Sequence, residues 1–294
     1  IFVSVPSGKS LIWSNGTGTG EILWDAGDSI IANNEGTFTF TQTGTGNTQW
    51  QARGDIKAKG EKTFTSTPTN ASTMIWRAGG NIETTTSSAP DIVTFTKGTA
   101  NAGLMAWQAK GDIKTDTRIK FENTLAANTT NMEWLACNNI TTHFVNPAAD
   151  AAPNYDVVFE NASQGNMIWH ANTGNITTNS MTTFKNTNTT GSDMGWYAGG
   201  DITTHYGKDA ANKTMGQGIL FEQVGKGKTS WQAGNDIKTY NPVYFNWGAA
   251  ADDATPITWL AKHDIIIGGD VVGTNDGYSL TVPEQAAAKF ETVK

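Results

Sequence analysis

Nine tryptophans, each followed two positions later by alanine, constrain this 294-residue chain more than any other feature. The shared phrase is Trp, any residue, Ala, a short turn, Asp or Asn, then Ile, as in WQARGDI, WYAGGDI and WQAGNDI. It recurs every 26 to 35 residues, and recurrence at this period is the signature of a repeat architecture. The tryptophans are Trp24, Trp50, Trp76, Trp107, Trp134, Trp169, Trp196, Trp231 and Trp259.

A second aromatic residue lies 10 to 14 positions before each of these tryptophans. Side chains alternate between the two faces of a strand, so residues of equal parity share a face. Met or Ile usually stands two positions before the Trp, whereas Gln, Arg, Glu and His occur at the intervening positions. The Met-Trp-Ala face is therefore predicted to be buried, against the alternative of an exposed aromatic strip that stacks on sugar rings. The upstream aromatics are Trp13, Phe40, Phe64, Phe95, Phe121, Phe159, Phe184, Phe221 and Phe245.

Each repeat thus contains three short strand-like segments, centred on the Phe, the Trp and the Ile, with Gly, Asn and Asp at the turns. Stacking equivalent segments in parallel, roughly 4.8 Å apart, predicts an all-β right-handed parallel β-helix of about nine coils, about 43 Å long. A propeller is disfavoured because its blades need four antiparallel strands. We expect one β-helix domain over residues 1–270 and a C-terminal cap or inter-subunit docking tail over 271–294.

The connections between the Ile of one coil and the aromatic of the next alternate in length. Their spans are 10, 8, 13, 8, 19, 8, 19 and 8 residues, so insertions fall on alternate coils. The two longest occupy 141–158 and 203–220. Loops stacked at one strand spacing would collide, and placing them on alternate coils doubles the room for each loop. Since the insertions occupy equivalent positions in the repeat, we expect them to line one edge, where a binding site is best sought.

Asp or Asn precedes the Ile of nearly every coil, and the preferred interpretation is that this column forms the turns. Calcium binding by Asp201, Asp236 and Asp264 in successive coils is the alternative, although the nonapeptide repeat of calcium-binding solenoids is missing from the sequence.

Other candidate sites are weak. His143 and His205 each lie three residues after their Ile, two coils apart, too far to share a metal ion. Cys137 is the single cysteine, so no internal disulfide can form. Asn128, Asn188 and Asn212 are the glycosylation sequons that we expect in loops. No catalytic motif is recognisable, so the sequence predicts neither a catalytic residue nor a cofactor.

A threonine column follows the Ile column at the same parity, which predicts that these threonines point inward. The alternative is an exposed array of the kind that binds ice. Its members are Thr84, Thr115, Thr142, Thr178, Thr204 and Thr239.

The coil phrases WQARGDIKA and WYAGGDITT resemble the passenger repeats of filamentous-haemagglutinin-like exoproteins and autotransporter adhesins. The resemblance extends from about residue 11 to residue 270 and concerns the style of the repeat. It implies a right-handed parallel β-helix, secretion to the cell surface, and an adhesive or structural role.

The formal charge of −7 argues against nucleic-acid or anionic-membrane partners. We therefore expect a non-enzymatic extracellular structural protein that associates with copies of itself, head to tail or laterally, in a layer, sheath or filament. The first alternative is an adhesin passenger that binds a cell-surface glycan or protein through 141–158 and 203–220. The second is a polysaccharide-active β-helix enzyme.

Overall fold

The computed structural model is built from strands arranged in three long sheets, with no helix in the described part of the chain. We name each sheet after the column of residues that it carries: the Phe sheet, the Trp sheet and the Ile sheet. The structure describes residues 1–16, 18–33, 36–67, 72–85, 92–98, 103–116, 118–124, 129, 131–142, 157–178, 182–204, 219–239, 243–247, 257–267, 271–275, 278–281 and 288–292.

The Trp sheet has ten strands, whose inward residues are Met, Trp and Ala in most coils. Its strands are β3 (Ile22–Ala26), β6 (Thr48–Ala52), β9 (Met74–Ala78), β12 (Met105–Ala109), β15 (Met132–Ala136), β18 (Met167–Ala171), β21 (Met194–Ala198), β24 (Thr229–Ala233), β27 (Ile257–Ala261) and β31 (Ala288–Thr292).

The Phe sheet has eleven strands, the last of which is antiparallel to its neighbour. They are β2 (Ser10–Asn15), β5 (Thr37–Gln42), β8 (Lys62–Ser66), β11 (Ile92–Lys97), β14 (Arg118–Asn123), β17 (Val157–Asn161), β20 (Thr182–Asn186), β23 (Ile219–Gln223), β26 (Val243–Trp247), β29 (Val271–Asn275) and β30 (Tyr278–Thr281).

The Ile sheet has ten short strands. They are β1 (Phe2–Val3), β4 (Ile30–Asn33), β7 (Ile56–Lys59), β10 (Ile82–Thr85), β13 (Ile113–Asp116), β16 (Ile140–Thr142), β19 (Ile176–Thr178), β22 (Ile202–Thr204), β25 (Ile237–Thr239) and β28 (Ile265–Ile267).

Each strand from β1 to β26 pairs with the strand three places further along the chain, so the chain winds through the three sheets in turn. At the C-terminal end β27 pairs with β31, and β29 pairs with β30. The fold is therefore the parallel β-solenoid that the sequence predicts. The strands from β2 to β28 form nine successive Phe–Trp–Ile triplets, and β1, β29, β30 and β31 add partial turns at the two ends. Because of these partial turns, the coil count differs slightly from the predicted nine. The right-handed sense of the coil and the domain boundary at residue 270 stay predictions.

Aromatic ladders fill the interior, because the register sets identical residues directly above one another. Consecutive ladder tryptophans from Trp24 to Trp259 stack with centroids 4.6 to 5.1 Å apart and nearly parallel planes. The Phe rings stack in a second ladder and meet the tryptophans mostly edge to face, as Phe121 meets Trp134 at 5.2 Å. Offset stacks and edge-to-face contacts are the favoured aromatic geometries.

The predicted inward face is confirmed. The ladder tryptophans are at most 6% exposed, and the alanines two positions after them at most 8%. The threonine column that follows each Ile is also inside, since all six predicted members are fully buried. This burial excludes both the exposed tryptophan strip and the flat ice-binding array.

The two longest insertions leave from the corner between an Ile strand and the following Phe strand. Fourteen residues, 143–156, separate β16 from β17, whereas only residue 117 separates β13 from β14. Residues 205–218 form the second long connection, between β22 and β23. The alternation in length is therefore as predicted. Residues 143–156 and 205–218 themselves lie outside the described residues, so their arrangement along one edge stays a prediction.

Candidate functional site

The Asp/Asn column forms a hydrogen-bonded ladder along the solenoid. In each coil from Asp55 to Asp236 the side-chain Oδ1 accepts the backbone N–H of the equivalent residue in the next coil, at 2.7 to 3.1 Å. Asn139, for example, accepts the N–H of Asn175 at 2.9 Å. The carbonyl of the same residue accepts the N–H of the preceding coil's Ile, so both oxygens bind neighbouring coils. The sequence predicts that these side chains hydrogen-bond the backbone of their own turn. They instead hydrogen-bond the backbone of the next coil.

The weak calcium candidates Asp201, Asp236 and Asp264 belong to this ladder. The Lys238 ammonium lies 3.0 Å from Asp201 Oδ2 and 2.9 Å from Asp236 Oδ2. A lysine therefore occupies the position between Asp201 and Asp236 that a metal ion would need, which argues against the calcium hypothesis at these two residues. Within the described ranges no group of three or more His, Cys, Asp or Glu residues is placed to hold a metal ion.

This arrangement shifts the pKa values of the three groups. Burial alone would raise the pKa of Asp201, but hydrogen bonds from Lys238, Asn235 and the Asp236 backbone outweigh it and lower that pKa. The hydrogen bond from Lys238, followed by that from the Asp264 backbone, lowers the pKa of Asp236. The same two carboxylates raise the pKa of Lys238. The cluster is thus held in its ionised form.

A second ladder, not predicted from the sequence, lies three positions before the Trp in several coils. Asn47 Oδ1 accepts the N–H of Thr73 at 2.8 Å, and Asn166 Oδ1 accepts that of Asp193 at 2.9 Å. Asn holds this position in three coils, but Thr73, Leu104 and Lys228 hold it in others, so no uniform column appears in the sequence. The only signal was a polar residue at the strand entrance of many coils.

Asn188 corrects the glycosylation prediction. Its side chain is 4% exposed, donates to the Ala162 carbonyl at 3.0 Å and accepts the Thr190 N–H at 2.8 Å. It therefore lies inside a corner of the solenoid and is not an accessible loop residue. Asn128 and Asn212 lie outside the described residues, as do His143 and His205.

The N-terminal end of the solenoid is apolar and uncovered. Phe2, Ile12 and Leu23 lie on the outer faces of the Ile, Phe and Trp sheets and are 69%, 68% and 48% exposed. Trp13 tops the Phe column and is 47% exposed. Among the described side chains, the exposed large hydrophobic residues all lie at one end or the other: Ile1, Phe2, Ile12, Trp13, Leu23 and Ile31 at the first coil, and Ile266 on the last strand of the Ile sheet.

A shallow groove of about 960 Å³ follows the outer face of the Trp sheet, and we call it the Trp-sheet groove. Its floor is the backbone at the alanine column, and its walls are the residues one and three positions after each Trp. The lining residues are Asp25, Gln51, Ala52, Arg53, Arg77, Ala78, Gly79, Gln108, Ala109, Lys110, Leu135, Ala136, Cys137, His170 and Asn172. Cys137 is exposed there.

These features define the molecule as a parallel β-solenoid repeat protein with aromatic inner ladders, an apolar N-terminal end and a lateral groove along the Trp sheet. None of the described segments is a helix that could cross a membrane. Comparison with protein-family models, with curated proteins and with solved structures found no match. The function is therefore inferred from the exposed residues of the solenoid.

Proposed function

We propose that this chain is a non-enzymatic structural protein of an extracellular layer, sheath or filament, whose solenoids join end to end. The observation that carries the proposal is the position of the exposed large hydrophobic residues: in the described part of the chain they lie only at the two ends. Scattered apolar residues need no explanation on a protein surface, whereas a concentrated exposed patch marks an interaction site.

The partner of this apolar end is a second copy. Strands β2 and β3 are the edges of their sheets, and an edge strand is a template for a further strand. The opposite end offers β28, β30 and β31 as the other edges of the same three sheets. Joining the ends would continue the sheets and cover the ring of Trp13 while leaving the sides exposed. A head-to-tail contact of this kind does not close on itself and so yields filaments.

The resemblance of the coil phrases to filamentous-haemagglutinin-like repeats supports a place at the cell surface. It also favours a second candidate, an adhesin passenger that binds a surface ligand through 141–158 and 203–220. The observation behind this candidate is that both long connections leave from the same corner of the solenoid.

Electron microscopy and light scattering at rising protein concentration test the first candidate. We expect filaments that lengthen with concentration in wild type, and short rods in the double variant Ile12→Lys and Leu23→Lys. The control is Ile168→Lys, which puts a lysine on an outward position in the middle of the Trp sheet. Monomeric rods at every concentration would refute end-to-end assembly. Ligand binding that vanishes when residues 205–218 are deleted would then favour the adhesin.

A further inference from the structure

Three cations lie on successive coils of the Trp-sheet groove. Arg53, Arg77 and Lys110 are all exposed and line its walls, while Asp25 is the one acidic residue of the lining. The chain has only three arginines, and two of them are here, although its formal charge is −7. The groove is thus a basic strip on an acidic molecule.

The three cations also differ from several lysines elsewhere on the solenoid in their partners. Lys57, Lys114 and Lys185 each form an ion pair with an acid on their own or a neighbouring coil. In the described part of the chain neither Arg53, Arg77 nor Lys110 has an acidic partner within ion-pair distance. Coils stack roughly 4.8 Å apart, so these like charges repel one another and attract an anion.

The guanidinium of Arg77 is held in a fixed direction along the groove. Its Nε–H donates to Gln108 Oε1 on the next coil at 3.1 Å. An arginine has five N–H donors in a rigid fork, so the other four stay available for a carboxylate or a sulfate. Gln51 and Gln108 add amide groups that can bind hydroxyls, and Leu135 adds an apolar contact.

The shape of the groove selects a linear ligand. It extends across six coils, from Asp25 to His170, which is about 24 Å at the strand spacing. We propose that the Trp-sheet groove binds an acidic polysaccharide, a chain of uronate or sulfated pyranose units lying parallel to the solenoid axis. Sugar rings offer the acidic groups, the hydroxyls and the weakly apolar faces that the cations, the glutamines and Leu135 can contact.

Nucleic acid is a poorer match for the same strip. Duplex DNA carries one charge per roughly 1.7 Å of its axis, and its partners present a broad basic face. Three cations on an acidic protein do not supply such a face. The groove is on the side of the solenoid, so this inference goes beyond end-to-end assembly and does not depend on it.

The single cysteine makes the groove directly testable. Cys137 can be labelled with an environment-sensitive maleimide dye, and the full-length protein titrated with polygalacturonate oligomers, dextran sulfate and neutral dextran. We expect saturable dye responses to one or both acidic polymers, weakened by salt, and none to neutral dextran. The first two arms distinguish carboxylate from sulfate recognition. Calorimetry on unlabelled protein repeats the measurement without the dye.

Two matched variants decide where binding occurs. Neutralising the groove cations with Arg53→Gln, Arg77→Gln and Lys110→Gln should weaken binding by about tenfold or more, from the summed loss of three exposed ionic contacts. The control variant Lys57→Gln, Lys114→Gln and Lys185→Gln removes the same charge elsewhere and should change affinity by less than about twofold. Circular dichroism establishes that both variants are folded.

Several results would overturn the proposal. Equal weakening in the two variants would mean that binding follows net charge and not the groove. Neutral dextran binding as well as the acidic polymers would exclude the cations as the determinant. Polyglutamate or duplex DNA competing as well as polygalacturonate, charge for charge, would show that the strip does not select a sugar chain.

Discussion

Replacing a tryptophan in the middle of the ladder should cost far more stability than replacing one at its uncovered end. Trp134 is 1% exposed and stacks on Trp107 at 4.8 Å and Trp169 at 4.9 Å. The edges of Phe121 and Phe159 contact it at 5.2 and 5.0 Å. Burying roughly 200 Å² at about 25 cal/mol/Å² contributes about 5 kcal/mol. Trp→Ala changes in packed cores cost about 3–5 kcal/mol, so we expect about 4–5 kcal/mol for Trp134→Ala.

Trp13→Ala is the matched comparison. Trp13 is 47% exposed, and its ring meets Trp24 edge to face at 5.8 Å. Only about half of the Trp13 surface is buried, so we expect the free energy of unfolding to fall by about 2 kcal/mol.

Urea unfolding followed by circular dichroism measures the free energy of unfolding of both variants. If Trp134→Ala does not fold, Trp134→Phe, which keeps an aromatic ring in the stack, should show a smaller measurable loss. Equal destabilisation by the two alanine variants would refute the reasoning, because it would mean that stacking on both faces adds nothing.

Three further perturbations examine the ladders and the end. Asn139→Ala removes the acceptor of the Asn175 N–H and should cost about 1 kcal/mol in urea unfolding, whereas Asn138→Ala, at the exposed neighbour, should cost less than about 0.5 kcal/mol. Lys238→Met should cost about 1 kcal/mol at neutral pH, more than Lys57→Met, whose ion pair is more exposed. The carboxylates have lowered pKa values, so their stabilisation is present above the ordinary carboxyl pKa and is lost as pH falls through the lowered values. A Lys238→Met penalty that persists in acid would contradict this. Acrylamide should quench little of the tryptophan emission, and Trp13→Phe should remove much of the quenchable part.

The columns were predictable from the sequence because an inward position accepts few residue types. Trp134, its neighbours in the ladder and the alanines beside them share one parity, and a shift of one residue would turn every one of them outward. The Ile–Thr strand obeys the same rule, which is why Thr178 and its equivalents could be placed inside.

The hydrogen-bonded ladders were less accessible to sequence reasoning. Asn139 could bond its own turn or the next coil, and only the inter-coil register decides between the two. Asn188 shows the same problem: its sequon is typical of a loop, yet the corner folds back so that its amide bonds Ala162. In both cases the partner is distant in sequence, and its position follows from stacking alone.

The Trp-sheet groove was missed because its cations occupy two different repeat positions. Arg53 and Lys110 stand three residues after their tryptophans, whereas Arg77 stands one residue after its own. Alignment of the repeats separates these positions, and only the folded strand brings both to the walls of one furrow.

The contrast between the two faces of the Trp strand bears on where function lies. The inward positions are nearly uniform, but the position after each Trp is Asp25, Gln51, Arg77, Gln108 and Leu135 in the first five coils. The outward residues are not constrained by packing in the interior, so their charge can vary with little change in stability. A row of cations without acidic partners gains nothing for the fold and incurs mutual repulsion. Its presence on an acidic solenoid is better explained by an anionic ligand than by the architecture.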